Sequence, residues 1–263
     1  MKKLYFLYQW LIFMPLFLVI TIITAIVTTV GCMGGYNRTF GYYPGKIWSC
    51  VTCYLALCPV KVKGREHIKK GESYVFVANH QGAFDVFLIY GFLGVPVKWM
   101  MKKSLRNIPF VGKACESAGF IFVDNTSPLT AARSIRQAEA SFQNGLSLAI
   151  FPEGSRTYDG KMIKFKKGAF QIATDLHLPI VPVTLNGPYD VLPIHGKKLS
   201  PSRLEMIIHE PIPTQDLRTN QATLTALADE SEQIVASALW EKYRDYTAED
   251  VELPLNLQEA VAK

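Results

Sequence analysis

Charge is almost missing from the start of this chain. Residues 4–30 contain no Asp, Glu, Lys or Arg, and a helix of that length would reach about 40 Å, enough to cross a bilayer. The apolar core of a cleaved signal peptide is shorter, about 7–15 residues. A buried core helix is also shorter than this run. The run therefore predicts a membrane segment, interrupted at Gln9 and Pro15.

The cysteines lack the number and spacing of a disulfide framework or a metal site. There are five, an odd number, and most lie in the apolar N-terminal third. Cys50-x2-Cys53 has the spacing of half a zinc site, but no second Cys or His pair follows at a suitable distance. The pattern favours apolar packing for these thiols, and no metal or tightly bound cofactor is indicated.

Acidic residues are fewer than basic ones, 22 against 28, which gives a net charge of +6. This excess suits an anionic membrane surface or a phosphorylated substrate. It would also suit nucleic acid, but the chain has no basic helix, zinc pattern or basic stretch interleaved with aromatics, so nucleic acid is not an expected partner. With 49% hydrophobic residues, the chain can form one sizeable domain with a lipid-facing part.

Beyond residue 60, short apolar runs bounded by turn residues alternate with helical segments. Such alternation predicts an α/β fold with a mostly parallel sheet flanked by helices, preceded by the N-terminal membrane-embedded helical segment. We divide the chain into a membrane anchor or hairpin (1–60), a central domain (61–215) and a C-terminal packing helix with a tail (216–263). The expected strands are residues 74–78, 97–101, 120–123, 146–151, 180–185 and 204–209.

Helices are expected in four places. Residues 47–60 are apolar but too short to span a bilayer, so they should lie in the interface or return as half of a hairpin. Residues 86–90 should begin a buried helix. Residues 129–143 carry the clearest helical periodicity, with Arg133 and Arg136 on the polar face. A last amphipathic helix is predicted over residues 221–243.

A polar stretch, Asn79-His80-Gln81-Gly82-Ala83-Phe84-Asp85, separates the first strand from the buried helix. His80 and Asp85 are five residues apart, about 140° around an ideal helix, so the chain must turn if they are to meet. Gly82 can supply the turn, because glycine takes backbone angles that other residues avoid. Asp85 then falls in the first turn of the helix.

In this arrangement, the Asp85 carboxylate accepts the proton on one imidazole nitrogen, and the other nitrogen can take a proton from a hydroxyl. The pair would then be a general-base dyad. The alternative is a strand-end histidine that only satisfies its neighbours. A second polar stretch, Phe151-Pro152-Glu153-Gly154-Ser155-Arg156-Thr157, also follows an apolar run. Two polar stretches at strand ends indicate one cleft.

The second stretch has the chemistry of a phosphate site. Arg156 offers a planar fork of donors that suits a phosphate monoester, and Gly154 allows the backbone to approach a ligand. Glu153 would repel a dianion unless it orients Arg156 or a substrate hydroxyl. The surrounding lysines, by contrast, are open to two interpretations, as solvated side chains or as contacts for a carrier protein or lipid headgroups. They are Lys103, Lys164, Lys166 and Lys167.

Together, Asn79-His80-x4-Asp85 and Phe151-Pro152-Glu153-Gly154-Ser155-Arg156 resemble motifs of the glycerophosphate acyltransferase superfamily, most closely its 1-acylglycerol-3-phosphate acyltransferases. The resemblance covers roughly residues 70–190. It includes Lys-Lys-Ser-Leu-Arg-Asn-Ile-Pro-Phe-Val-Gly at 102–112 and Gly-Phe-Ile-Phe-Val-Asp at 119–124. It implies catalysis by His80 and Asp85. It also implies substrate binding by Lys102, Glu153, Gly154, Ser155 and Arg156.

The resemblance further implies transfer of an acyl chain from acyl-CoA or acyl carrier protein to the sn-2 hydroxyl of lysophosphatidic acid. The product would be phosphatidic acid. Transfer would be direct, at the membrane, with the active site on the cytoplasmic face. Three alternatives stay open: acyl transfer to another lysolipid, a lipid thioesterase, or a non-catalytic membrane protein that binds acidic lipids. Intact His80 and Asp85 disfavour the last, and Arg156 disfavours a thioesterase.

One position departs from the family pattern. Members commonly carry Arg after the Asp at the end of the Gly-Phe-Ile-Phe-Val-Asp stretch, but here Asp124 is followed by Asn125. One expected cationic donor is missing. If that position faces the acceptor phosphate, Arg156, supported by Lys102, must carry more of the anion recognition.

Overall fold

A computed structural model describes residues 2–123 and 146–244. The uncharged N-terminal run forms helix α1 (Lys2–Tyr8), a π-helical turn (Gln9–Phe13) and helix α2 (Met14–Met33) without a break. The predicted interruptions mark the change of geometry, since Gln9 begins the π turn and Pro15 lies in the first turn of α2. Among the described residues, Lys3–Met33 is the one helix long and apolar enough to cross a membrane.

The chain then turns through α3 (Asn37–Phe40) and returns in α4 (Tyr43–Leu55). Helix α4 packs against α2, and Trp48 Nε1 donates to Thr21 Oγ1 at 2.8 Å between them. The predicted hairpin partner is therefore present, although its helix ends earlier than residue 60. One face of α4 is buried, including Cys53, while Ile47, Val51 and Tyr54 on the other side are exposed.

A seven-stranded sheet forms the centre of the domain, in the order β1-β7-β6-β2-β5-β3-β4. Neighbouring strands are parallel except β6 and β7, which are antiparallel. The predicted α/β class with a mostly parallel sheet is confirmed. The strands are β1 (Val60–Lys63), β2 (Val75–Ala78), β3 (Val97–Lys102), β4 (Ile121–Val123), β5 (Ser147–Ile150), β6 (Ile180–Asn186) and β7 (Leu204–Ile208).

The six predicted strands are all present, but β1 was missed. The predicted apolar stretch takes in Val60 and no element is predicted for residues 61–63, although Val60-Lys61-Val62-Lys63 alternates apolar and charged side chains as an edge strand does. The edge position explains the pattern, because only one face of this strand meets the core. β1 pairs in parallel with β7.

Two apolar layers cover the two faces of the sheet. On one face, the N-terminal helices and α5 (Phe84–Phe92) form a cluster around Phe84, Leu88 and Trp99. On the other face, the cluster is built around Phe170 and Leu224. The remaining helices are α6 (Val111–Ser117), α7 (Gly168–Asp175), α8 (Pro188–Val191) and α9 (Gln221–Ser237), with 3-10 turns at Arg65–His67, Lys103–Asn107 and Glu241–Tyr243.

The prediction of a C-terminal helix over residues 221–243 is wrong at the C-terminal end, because α9 stops at Ser237. The side chain of Asn186 replaces the helical hydrogen bonds there. Its Nδ2 donates to the carbonyl of Ala238 at 2.9 Å, and its Oδ1 accepts from the amide of Trp240 at 2.8 Å. The chain therefore turns back onto the end of β6. The predicted helix over 129–143, with Arg133 and Arg136, and the tail over 247–263 lie outside the described residues.

The N-terminal helix is fixed to the domain by a buried amide. Gln9 is 4% exposed; its Nε2 donates to the carbonyl of Lys197 at 3.2 Å, and its Oε1 accepts from the amide of Leu199 at 3.0 Å. The π turn that begins at Gln9 faces this loop. Tyr5 and Tyr8 add hydroxyl bonds to the carbonyls of Ala56 and Leu55, at 2.9 and 2.7 Å.

We expect Gln9→Ala to lower the melting temperature of the detergent-solubilised protein by several degrees. The substitution leaves a buried donor and acceptor unsatisfied, at a cost of about 1–3 kcal/mol, or roughly 2–4 °C per kcal/mol for a chain of this size. Gln171→Ala, on the exposed side of α7, is the matched control and should change little. Equal melting temperatures for the two variants would show that the Gln9 contacts do not hold the helix.

Candidate active site

The predicted site residues follow three neighbouring strands. β2, β5 and β3 are adjacent and parallel, so their carboxyl ends meet at one edge of the sheet. His80 comes two residues after β2, Glu153 three residues after β5, and Lys102 ends β3. The cleft expected at the strand ends is therefore present, in the place where open α/β sheets commonly bind ligands.

The loop that carries His80 is held by its neighbours. Asn79 is fully buried and bonds the backbone of Leu185 twice, donating from Nδ2 at 2.9 Å and accepting at Oδ1 at 2.8 Å. The expectation that Gly82 adopts unusual backbone angles is wrong, since its φ is not positive. Glycine is needed there for space. A Cβ would lie 2.6 Å from the carbonyl oxygen of Pro188 and 2.9 Å from that of Leu192.

His80 and Asp85 meet as the motif predicts. His80 Nδ1 donates to Asp85 Oδ2 at 2.7 Å, and the amide of Gly82 donates to the same oxygen at 2.8 Å. Asp85 lies in the first turn of α5 and is fully buried, while the His80 side chain is 19% exposed. Burial raises the pKa of Asp85, and the hydrogen bonds from His80 and Gly82 oppose that rise. Nε2 of His80 is left for a substrate proton.

An aromatic stack sets the plane of the imidazole. The ring of Phe151 lies 3.9 Å from the ring of His80, centroid to centroid, at an interplanar angle of 5°. Trp99 continues the stack on the far side of Phe151, at 5.5 Å and 25°. The hydrogen bond to Asp85 and the contact with Phe151 together restrict rotation of the imidazole. The sequence motif contained Phe151, but the spacing alone did not indicate this contact.

Glu153 is turned away from the cleft and toward the backbone. It is 1% exposed; one carboxyl oxygen accepts from the amide of His80 at 2.7 Å and the other from the amide of Ile163 at 3.0 Å. Burial raises the pKa of Glu153 to about 8, against the effect of these two hydrogen bonds. The side chain therefore positions the His80 loop and the loop after β5, whereas the resemblance placed it on the acceptor.

A cavity of about 850 Å³ opens beside the dyad. Its wall includes His80, Phe151 and residues of the N-terminal helix, Thr21 and Thr28 among them. It extends between α2, α4 and α6 as far as Ala118. Most of the wall is apolar, and the volume is that of a site for a sizeable small molecule. The N-terminal helix is thus one wall of the same cavity that holds the dyad.

The other predicted residues are distributed around this cavity. Lys102 and Gly154 line it. Ser155 is exposed and Arg156 is half-buried, and neither belongs to the wall formed by the described residues. Lys166, which the sequence left between two interpretations, does line the cavity, and a Cβ on Gly154 would lie 2.7 Å from its Nζ. Asn125 lies outside the described residues.

Comparison with known families gives one clear match. A sequence model of the family described as Acyltransferase matches residues 59–186. This interval begins just before β1 and ends with β6, so it contains six of the seven strands, the dyad and the whole Phe151–Arg156 stretch.

Several curated proteins are similar to the chain. A 1-acyl-sn-glycerol-3-phosphate acyltransferase of Chlamydomonas reinhardtii is 28% identical over 89% of this chain and 68% of its own length. A chloroplastic one of Brassica napus is 30% identical over 67% of this chain and 52% of its own length. A 1-acyl-sn-glycerol-3-phosphate acyltransferase alpha of Ovis aries is 30% identical over 67% of this chain and 61% of its own length. The matches thus span between about half and two thirds of these relatives.

Among solved structures, the chain is similar to the crystal structure of the 1-acyl-sn-glycerophosphate acyltransferase PlsC of Thermotoga maritima. The TM-score is 0.64 and the identity 27%, over 83% of this chain and 92% of that one. This likeness extends well beyond the interval matched by the family model. It therefore includes part of the chain outside residues 59–186.

We expect Glu153→Gln to slow turnover at least about tenfold, because an amide NH2 cannot accept and one backbone N–H would lose its partner, at a cost of about 1–3 kcal/mol. The matched control is Glu232→Gln, since Glu232 accepts from the amide of Phe165 at 2.7 Å but does not contact the dyad loop. It should destabilise the protein while leaving kinetics near wild type. Similar kinetic losses in both variants would contradict the positioning role.

The same variant has a pH signature. The folded-state pKa of Glu153 is raised from 4.5 to about 8, so the folded protein holds this proton more tightly than the unfolded chain does. Its contribution to stability is therefore lost as pH rises from about 4.5 to about 8. Glutamine carries no such proton. Melting temperature should fall less steeply between pH 5 and 8 in Glu153→Gln than in wild type; parallel slopes would contradict the raised pKa.

Proposed function

Since residues 59–186 form a domain of the acyltransferase family, we propose that this protein transfers a fatty acyl chain from a thioester to the free sn-2 hydroxyl of 1-acylglycerol-3-phosphate, making phosphatidic acid. The observation that carries the proposal is the His80–Asp85 dyad, placed on the wall of a cavity it shares with the apolar N-terminal helix. The relatives described above are named for this reaction.

The chemistry needs two proton transfers, one to His80 and one from it, and one displacement. Nε2 of His80 removes the proton of the acceptor hydroxyl, and the oxygen attacks the thioester carbonyl carbon. The carbon–sulfur bond breaks, and the thiolate leaves with the proton that His80 returns. Asp85 stabilises the imidazolium that exists between these steps. The C–O ester bond formed replaces the thioester bond broken, so the reaction requires no cofactor.

Direct transfer is supported by the surroundings of His80. Among the described residues, the hydrogen bond to Asp85 is the one that its imidazole makes. No serine or cysteine of this part of the chain is bonded to Nε2, so the dyad has no protein nucleophile to activate. The acyl donor and the acceptor then occupy the site together. The donor is acyl-CoA or acyl carrier protein, and the apolar cavity accommodates its chain.

The acceptor phosphate has several candidate partners. Lys102 and Lys166 line the cavity, as does Gly154, whose lack of a side chain leaves room for the Lys166 ammonium beside it. Arg156 follows on the same loop and offers a bidentate fork. We assign phosphate binding to these four residues, with Ser155 as a neighbouring hydroxyl.

We further propose that the protein lies in one leaflet and does not span the bilayer. The N-terminal helix touches the domain near both ends, through Tyr5 and Gln9 at its start and through the packing of α2 on α6. A spanning helix would draw the charged domain into the hydrocarbon. Most of the outward face is exposed and apolar, as in interfacial helices. We place the site on the cytoplasmic face, where anionic lipids attract a chain of net charge +6.

We expect His80→Ala to abolish transfer while the protein stays bound to membranes. A positioned base contributes about 10²–10⁴-fold to the rate, and no membrane contact depends on this side chain. Asp85→Asn should also slow transfer severely, because the amide does not stabilise the imidazolium. Both variants should be assayed with lysophosphatidic acid and a labelled thioester. Near-normal turnover in His80→Ala would exclude the dyad as the base.

Removal of the Arg156 fork should weaken phosphate recognition. We expect Arg156→Ala to raise the apparent KM for lysophosphatidic acid about ten- to a hundredfold, since a hydrogen bond to a charged group is worth about 1.5–3 kcal/mol. A lysolipid without a terminal phosphomonoester should be affected much less. Arg218→Ala removes an exposed arginine from the loop before α9 and serves as the control.

The same assay tests the acceptor. Asn125 stands where the family commonly has a cationic donor, which favours a less anionic acceptor as the second candidate. If wild-type protein prefers a zwitterionic lysophospholipid to lysophosphatidic acid, the acceptor is another lysolipid and the reaction type is unchanged. If Arg156→Ala lowers activity on both acceptors equally, Arg156 does not recognise the terminal phosphate of the acceptor.

A further inference from the structure

The segment between β3 and α6 is unusually exposed for its composition. Every residue from 102 to 110 is exposed, and three of them are large and apolar: Leu105 is 41% exposed, Ile108 43% and Phe110 55%. Single exposed apolar residues are normal on a soluble surface, whereas a cluster indicates an interaction site. We call residues 103–110 the β3–α6 loop.

The backbone of this loop is held in a strained shape. Phe110 has φ +62° and ψ −52°, and the amide of Val111 donates to the carbonyl of Pro109 at 2.7 Å. This is a γ-turn of the rare, strained sign of φ. Such conformations persist where the surroundings enforce them, often at functional sites. The loop is tightly folded beside it, since a Cβ on Gly112 would lie 1.9 Å from the carbonyl oxygen of Arg106.

The loop borders the same cavity as the N-terminal helix. Leu105 and Val111 belong to the cavity wall, as do Thr21 and Thr28 of α2. Helix α6, which follows the loop, packs against α2. The loop is thus joined through α6 to a helix whose own exposed side chains are apolar and include Leu18, Ile22, Ile26 and Val30.

The charges around the loop suit an anionic surface. Lys102, Lys103, Arg106 and Lys113 are exposed, and one carboxylate, Glu116, lies among them. Glu116 pairs with Arg106, and with Lys113 at 3.2 Å. Basic side chains beside protruding apolar ones are typical of segments that enter the interface of an anionic bilayer.

We propose that the β3–α6 loop is a second membrane contact, which inserts Ile108 and Phe110 among the headgroups and upper acyl chains of an anionic bilayer. The cavity then lies between two lipid contacts, this loop and α2, and its lipid substrates enter sideways from the membrane. The inference rests on the proposed function, because it concerns how the same cavity meets its lipids. A carrier protein is disfavoured as the occupant, since the loop is joined through α6 to α2, whose exposed side chains are also apolar.

The first experiment measures insertion directly, in full-length protein reconstituted in vesicles of phosphatidylcholine and phosphatidylglycerol with brominated acyl chains. Phe110→Trp adds one indole to the four native ones. The brominated chains should quench the fluorescence of this added indole, measured as the difference from wild type, by about half or more, because interfacial segments lie roughly 5–10 Å deep in the bilayer. Leu217→Trp is the matched control, as Leu217 is 37% exposed and follows Thr214, which is bonded to Leu178 just before the start of β6, away from the carboxyl ends that form the site. Its added fluorescence should not be quenched. Equal, weak quenching at both positions overturns the proposal, whether the loop is free or covered by a protein.

The second experiment separates membrane contact from packing. Phe110→Gly removes the ring and relieves the strained φ, so melting temperature in detergent should stay the same or rise. The apparent KM for lysolipid in vesicles should rise roughly fivefold, from the loss of a half-buried phenyl group, while kinetics in mixed micelles stay near wild type. A lower melting temperature with unchanged vesicle kinetics would show that Phe110 serves packing. If wild-type protein acylates no lysolipid, the proposed function fails, yet the quenching result still decides the loop.

Discussion

The buried carboxylate of Glu153 is the contact on which the geometry of the site depends. The carboxyl ends of parallel strands lie at the same edge of the sheet. The backbone hydrogen bonds between the strands, however, do not fix the positions of the loops that follow them. Glu153 supplies that alignment, because its two oxygens bind the amides of His80 and Ile163. The loop after β2, the loop after β5 and the segment before α7 are thereby joined into one body. Asn79 extends this body to β6 through the backbone of Leu185.

The sequence predicted the fold and the dyad because both leave local signals. Apolar runs identified six strands, and five-residue spacing with a turn identified His80 and Asp85. What it missed depends on contacts between distant segments. The stack of Phe151 on His80 joins two loops, and Gly82 is required by the carbonyl oxygens of Pro188 and Leu192. No local pattern encodes either contact.

For charged residues too, the sequence could not predict the contacts that a side chain makes with distant segments. The family resemblance placed Glu153 on the acceptor and the sequence left Lys166 undecided, since a side chain's type does not say which way it points. In the structure, Glu153 faces the backbone and Lys166 the cavity. Strand β1 was missed for a different reason: its four residues alternate as an edge strand should, but the apolar helix before it runs almost to its start.

The contact of Gln9 with residues 197–199 has a consequence for how the protein is made. The partners are separated by 188 and 190 residues, so the first helix leaves the ribosome long before its docking site exists. During that interval its apolar surface has no protein to cover it, and exposed surface of this kind aggregates. A bilayer is the solvent that can hold it meanwhile. The contact of Gln9 with residues 197–199 can therefore form only after most of the domain has been made.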